Sequence, residues 1–341
     1  MTDFINDPIR FLETACTQPV VDLDLFSTGQ TVPVISGAEV NQFVYSHPDL
    51  WDYSLGRQAF REAFGDRYIT LLSGVEYHEN QRQFQNELRV ELDEPALREI
   101  VKVRLQVWIR NCRLSVWARE LAIELLWKAL HPCDPVPLRL LDRFEDYFQR
   151  GAGLPVFGSY FQINTWPSLC MRMQVEMNAH SGEDFALKAA PFIAGIRALS
   201  TAIEWLVLGR CERPPADLYE ILRFRPPFIL FPLYPKDDFQ LWNYVAPNDE
   251  GEIAFASRWI KKGELVFHAM CIPQWKDSLA PLALFGGGMH KCPGRHLVKR
   301  LLQLVLWELT MTDDLRLTGG DGIMDAKFNG LLVPKYDWRF E

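Results

Sequence analysis

The residues best suited to chemistry lie together near the C-terminus, in the run Phe285-Gly286-Gly287-Gly288-Met289-His290-Lys291-Cys292-Pro293-Gly294. A cysteine stands on a glycine-rich turn, two residues after a histidine and two before a further glycine, and an amphipathic run over 296–309 follows at once. Glycines let the backbone approach a flat ligand closely and turn with positive φ. A thiol at a helix N-terminus, facing backbone N–H groups, has its thiolate form favoured. With no second cysteine nearby, a thiolate presented in this way suggests an axial ligand of heme iron.

Three further groups of residues have spacings that place side chains together. Glu220 and Arg223 fall on one face of a helix that Pro226-Pro227 must end. His78 and Arg82 lie one helical turn apart in the polar stretch 76–89, and two cations suit two carboxylates of a ligand. Gly195 and Trp205 stand ten residues apart in the longest helical candidate, 185–208, and bracket Arg197, Ala198, Ser200 and Thr201.

The pattern F-x-x-G-x-H-x-C-x-G resembles the heme-binding loop of the cytochrome P450 superfamily, the heme-thiolate monooxygenases. Glu220 and Arg223 resemble its E-x-x-R, which lies on a helix behind the heme, and Arg223 precedes Cys292 by 69 residues, a separation usual in the family. His78 and Arg82 resemble the H-x-x-x-R of the helix that binds the heme propionates. Residues 194–205 resemble the long helix that crosses the distal face. The resemblance implies heme b (iron protoporphyrin IX) with Cys292 as the metal ligand. It places Phe285 beside the sulfur, Gly288 in the turn and the Gly294 backbone on the thiolate. His78, Arg82 and His290 would hold propionates, and Glu220 and Arg223 would form a buried pair.

On the distal helix the chain departs from the family. There an acid and an alcohol relay protons for O–O cleavage; in the register of Gly195 and Trp205, Arg197 takes the acid's place and Ala198 the alcohol's. Alanine holds no water for a relay, and arginine stays charged. Thr201 or Ser200 could supply the alcohol if the helix shifts. The arginine resembles the family's peroxide-using branch, although that branch follows it with proline. A salt bridge or a propionate contact is the alternative role for Arg197.

Length is the other departure. The chain has 341 residues, fewer than family members usually carry. Only about twenty residues separate Ala198 from Glu220, where an additional helix normally fits. The segment between Lys262-Gly263 and Phe285 is short and contains no arginine to complete the Glu–Arg–Arg cluster usual in the fold. Residues 234–262 are longer than usual, with Pro247 to Gly251 reading as a turn between two strands.

The elements expected to position these residues are mainly helices. Residues 116–130 form one, stopped by Pro132; 138–148 and 296–309 form others; 185–208 is the longest, interrupted at Pro191. Strands are expected at 32–35, 228–233, 253–256 and 264–268. The expectation is a mainly α fold with small β-sheets, a trimmed heme-thiolate architecture in one domain over residues 1–341. Phe161, Trp166, Met171 and Met173 fit either a substrate roof or ordinary helix packing.

Composition bounds the partners. Hydrophobic residues make up 48% of the chain, ample for a large core, and no linker or low-complexity tract divides it. A net charge of −8 argues against nucleic acid. Residues 1–30 contain no uninterrupted apolar stretch, which argues against a membrane anchor or secretory signal. Seven scattered cysteines without a C-x-x-C pair fit a reducing cytoplasm better than a disulfide framework. His290, Lys291, Arg295, His296, Lys299 and Arg300 cluster around the cysteine. Cations at a helix N-terminus oppose its dipole, so this basic face calls for a reason, such as docking an acidic ferredoxin-type electron donor. The chemistry expected is monooxygenation of a small, largely apolar, natural-product-like substrate. Alternatives are a heme-thiolate enzyme using peroxide or no redox partner (a peroxygenase, isomerase or dehydratase) and a silent heme or ligand-binding protein.

Overall fold

A computed structural model of the chain describes residues 4–52 (except 26 and 28), 79, 81, 82, 85, 86, 88, 90–106, 112–136, 185–212, 218–244 and 255–341 (except 278, 281, 313, 314, 329 and 330). The expected helix at 138–148, the aromatic and methionine stretch at 158–177 and the turn at 247–251 lie outside the described residues.

The longest helix among the described residues, α5 (Phe185–Glu212), is apolar almost all round and is accordingly enclosed. Ile196, Leu199, Ala202, Ile203, Leu206, Val207 and Leu208 are all buried. α5 packs against α4 (Leu114–Leu130) on one side and α8 (Arg295–Thr310) on another. Gly195 lets α4 come close, since a Cβ there would meet Leu126 Cδ1 at 3.3 Å.

α5 runs through Pro191 without interruption, contrary to the sequence expectation. The proline forfeits one i→i−4 hydrogen bond. Packing just beyond it supplies a counterweight: Phe192 is buried, with its ring 5.3 Å from that of Trp127 in α4. Downstream, α5 gives way after a short connection to α6 (Leu218–Phe224), where a Cβ on Gly209 would stand 2.8 Å from Ile221 Cδ1.

α3 (Glu94–Gln106) completes the helical layer through ion pairs. The Arg104 guanidinium grips Glu120 Oε2 (2.6 Å) and both carboxylate oxygens of Glu124 (2.6 and 2.9 Å), which holds its pKa above the ordinary value. Arg98 Nε donates to Glu308 Oε1 at 2.6 Å, and Glu308, in α8, is only 4% exposed.

Beside the helices lies a four-stranded sheet in the order β1 (Val20–Leu23), β2 (Val32–Ile35), β6 (Val266–His268), β3 (Phe231–Leu233). β2 and β6 are parallel and the other pairs antiparallel. Every residue of β2 and β6 is buried, as befits central strands. β4 (Phe239–Tyr244) and β5 (Phe255–Ile260) pair as the antiparallel ribbon the sequence suggests, with β5 four residues longer toward the C-terminus than expected. There are two small C-terminal pairs, β7 (Leu317–Thr318) with β10 (Arg339–Phe340) and β8 (Ala326–Phe328) with β9 (Leu332–Pro334); β9 packs on α5, and Arg339 of β10 bridges to Arg113 just before α4. Among the described residues no helix is long and apolar enough to cross a membrane. Helices α1 (Pro8–Ala15), α2 (Ala38–Ser46) and α7 (Ile272–Lys276) lie at the edges.

Candidate active site around Cys292

The loop before α8 is shaped by its glycines. Gly286 and Gly288 have φ of +64° and +57°, a region where only glycine is unstrained. A Cβ on Gly288 would run into the main-chain oxygen of Tyr45, and one on Gly287 into the Tyr45 ring, so α2 lies directly on the turn. A 3₁₀ turn over Gly288–His290 then brings the chain back, and the Cys292 N–H donates to Phe285 O at 2.8 Å, closing the loop.

That closure sets the cysteine at the start of α8, whose N-cap, Gly294, has no side chain to occupy the first N–H groups. Burial pushes the Cys292 thiol above its ordinary pKa; hydrogen bonds from the Gly294 and Arg295 N–H groups, and the Arg295 charge, pull the other way. The helix start therefore favours the thiolate as the sequence suggests, but removal from water outweighs it. A half-buried cysteine whose sulfur meets two N–H donors and the Arg295 charge is suited to bind a metal ion as a thiolate. An iron ligated by Cys292 would be such an ion, so the residues fit the heme that the sequence implies.

The basic residues around the loop have identifiable work. Arg295 Nη1 donates to Cys292 O at 3.3 Å, Lys299 Nζ lies 5.5 Å from the centre of the Phe285 ring, and Arg300 pairs with Glu94 of α3 at 2.7 Å. Lys291 and His296 are exposed and His290 is half-buried. Gly294 is sterically freer than Gly287 and Gly288: a Cβ there would make ordinary contacts with Leu88 at 3.6 Å and Cys292 Sγ at 4.0 Å. Arg82 is helical and exposed, and His78 lies outside the described residues.

Behind the loop, the expected buried Glu220–Arg223 pair does not form. Glu220 is exposed, while Arg223 Nη1 donates to the main-chain oxygens of Gln274 (3.3 Å), Asp277 (3.4 Å) and Ala280 (3.1 Å). Carbonyls of the segment packed on α6 lie within the guanidinium's reach, and the carboxylate keeps its hydration. Gln274, 1% exposed, locks the arrangement: its Nε2 donates to Arg223 O at 2.7 Å and its Oε1 accepts from the Ala283 N–H at 2.9 Å. Trp275 Nε1 donates to the same Arg223 oxygen at 3.1 Å. Sequence reasoning missed Gln274, since a glutamine in a five-residue helix carries no signal of burial. It supplies polar bridging in the short segment that lacks the expected second arginine.

On α5, Arg197, Ser200 and Thr201 are buried and Ala198 is half-buried. Ser200 Oγ donates to Arg197 O at 3.0 Å, a bond within its own helix turn. Arg197, Ser200, Thr201 and Glu204 line a cavity whose other walls are the start of α4 and the C-terminal strands; the lining includes no residue of the 285–294 loop. Trp205 Nε1 donates to Leu332 O at 2.9 Å, anchoring α5 to β9.

No protein-family model and no curated protein matches the sequence. Solved structures do resemble the fold along nearly its whole length. A thermophilic cytochrome P450 from Sulfolobus tokodaii aligns with a TM-score of 0.66 at 15% identity, over 97% of each chain. P450 EryK, a mutant in complex with erythromycin B, aligns with 0.65 at 16% identity, over 98% of this chain and 95% of that one. Cyanobacterial CYP120A1 with bound retinoic acid aligns with 0.64 at 17% identity, over 95% and 92%. The chain has the cytochrome P450 fold, with helices in the majority and small sheets at the edges.

Proposed function

We propose that the chain is a heme-thiolate oxidoreductase, with Cys292 as the proximal ligand of heme b and monooxygenase-type chemistry on a small, largely apolar, natural-product-like substrate. The observation that carries this reading is the sulfur of half-buried Cys292, set at the start of α8 and met by two backbone N–H groups. When bound, the heme supplies oxygen activation at a thiolate-ligated iron.

The chain's own residues have separate tasks in this reading. Gly286 and Gly288 turn the loop, Tyr45 backs it, and the Gly294 and Arg295 N–H groups temper the donor strength of the sulfur. Phe285 keeps one flank apolar. His78, Arg82 and His290 are assigned to the propionates. Arg223 and Gln274 brace the segment that enters the loop. Of the hydroxyls α5 carries beyond Ala198, Ser200 and Thr201 line the cavity on the Arg197 side, so the proton relay expected beside Ala198 is not assigned to them. Electrons enter from an acidic ferredoxin-type donor docking on the face that presents Lys291 and His296.

The resemblance to chains bound to retinoic acid and erythromycin B supports a largely apolar, natural-product-like substrate class. Residues 1–341 are read as one domain, because the main apolar cluster draws on side chains from Phe4 to Phe340. Turnover of a substrate panel with a ferredoxin and its reductase, set against turnover with hydrogen peroxide alone, tests the assignment of oxidant. Product formed only with the electron donor is expected. Product formed with peroxide alone would move the protein to the peroxide-using class.

A further inference from the structure

Between α3 and α4 lies a groove of about 630 Å³, within the range of small-molecule sites. It shares no lining residue with the cavity beside Arg197. The sequence of α3 explains why the groove is largely apolar. Leu97, Val101 and Leu105 are its buried stripe, which faces the core. Ala96, Ile100 and Val103, at spacings of four and three, make a second apolar stripe that lines the groove, with Val136 on its other wall. Val103 is 45% exposed, so this stripe is open to water.

Charge gives the groove a sign. Three carboxylates line it, Glu99, Glu120 and Glu124, against two cations, Arg104 and Lys128, which leaves one negative charge over. Both cations are already committed. Arg104 holds Glu120 Oε2 and both oxygens of Glu124, and Lys128 Nζ donates to the main-chain oxygens of Pro132 (3.2 Å) and Asp134 (2.7 Å) just past α4. Among the described residues no hydrogen bond or ion pair takes up exposed Glu99 or the second oxygen of Glu120. Burial and then the Glu120 charge push the Cys112 thiol above its ordinary pKa, against a smaller pull from Arg104, so the field at this wall is negative.

We propose that this groove binds a small organic ammonium ion, its cationic end at Glu99 and Glu120 and its apolar body along Ile100, Val103 and Val136. A bare metal ion fits less well: it gains nothing from the apolar stripe, and among the described residues no group of His, Cys, Asp and Glu side chains is placed to hold one. The site is built by α3 and α4 rather than by the cysteine loop, so it does not depend on the assignment of Cys292. Its occupant would tie the two helices together and raise the stability of the fold by linkage.

The test is calorimetric titration and thermal melting of the full-length protein at constant ionic strength. The probe is benzyltrimethylammonium, whose quaternary nitrogen has no lone pair to give an iron. The controls are neutral benzyl alcohol, tetramethylammonium (charge without an apolar body) and a basic peptide of alternating leucine and lysine. Benzyltrimethylammonium should bind and raise the melting temperature, with both small controls about tenfold weaker. Glu99→Gln should weaken it severalfold, and Val103→Lys, which sets a cation in the groove, about tenfold. Both positions are exposed, so both variants should fold. Equal binding of either small control, no binding of the probe at millimolar concentration, or unchanged affinity in the two folded variants would each overturn the proposal. Tighter binding of the peptide than of the probe would also overturn it, in favour of a protein partner.

Discussion

At Cys292 two effects oppose each other, and burial wins over the pair of N–H donors. The turn that holds the sulfur has little tolerance. Gly288→Ala adds a Cβ against the Tyr45 main chain at a φ of +57° and should cost more than about 2 kcal/mol, read as the loss in a denaturant midpoint. Gly294→Ala makes only ordinary contacts and should stay within about 1 kcal/mol of the parent. His268 has a different consequence. Asn41 Nδ2 donates to Met270 O, which leaves Oδ1 to accept from His268 Nε2 at 2.6 Å. Burial pushes this imidazole down to about 3. Between about pH 6.5 and 3 the unfolded chain takes up a proton that the folded protein refuses, so stability must fall as the solution is acidified through that window. Urea unfolding at pH 7 and pH 5 should show the drop, and His268→Gln should flatten it.

Among the elements, α6, α7 and the segment 277–283 form a polar joint behind the loop, and Arg223 and Gln274 hold it. Gln274→Leu strands the Ala283 N–H and one contact to Arg223 O, with an expected cost of about 1–3 kcal/mol and reduced heme retention. Glu220→Ala, at an exposed position, should change stability by less than about 0.5 kcal/mol. Equal losses in the two variants would restore the Glu220–Arg223 pair as the brace. Between α3 and α8 the expected outcome is harsher: Arg98→Ala leaves the Glu308 carboxylate buried without its partner, for about 3 kcal/mol in a thermal or denaturant melt.

Over the whole molecule, what could be read from the sequence was what depends on short spacing. The cysteine loop, α4 with its stop before Pro132, α8 and the β4–β5 ribbon follow from turn residues and apolar periodicity within a few residues. The contacts that escaped notice join distant segments. Arg98 and Glu308 lie 210 residues apart, and Arg223 and Gln274 lie 51 apart, so no local pattern brings either pair together. Pro191 was misread for a related reason. Its cost to the helix is local, while the packing of Phe192 and α5 against α4 that offsets it is tertiary. Arg197 was singled out by register, but its surroundings, α4 and the C-terminal strands, became visible only in the fold.

The account rests on Cys292 as a thiolate ligand to heme, and the absorption spectrum of the purified, reduced protein under carbon monoxide tests that most directly. The parent protein should carry b-type heme and show the strongly red-shifted Soret band that a thiolate ligand produces. Cys292→Ser should lose that band or the heme itself, because a neutral hydroxyl is a far weaker donor than a thiolate. A heme-loaded Cys292→Ser protein with the parent's spectrum would contradict the assignment of the site.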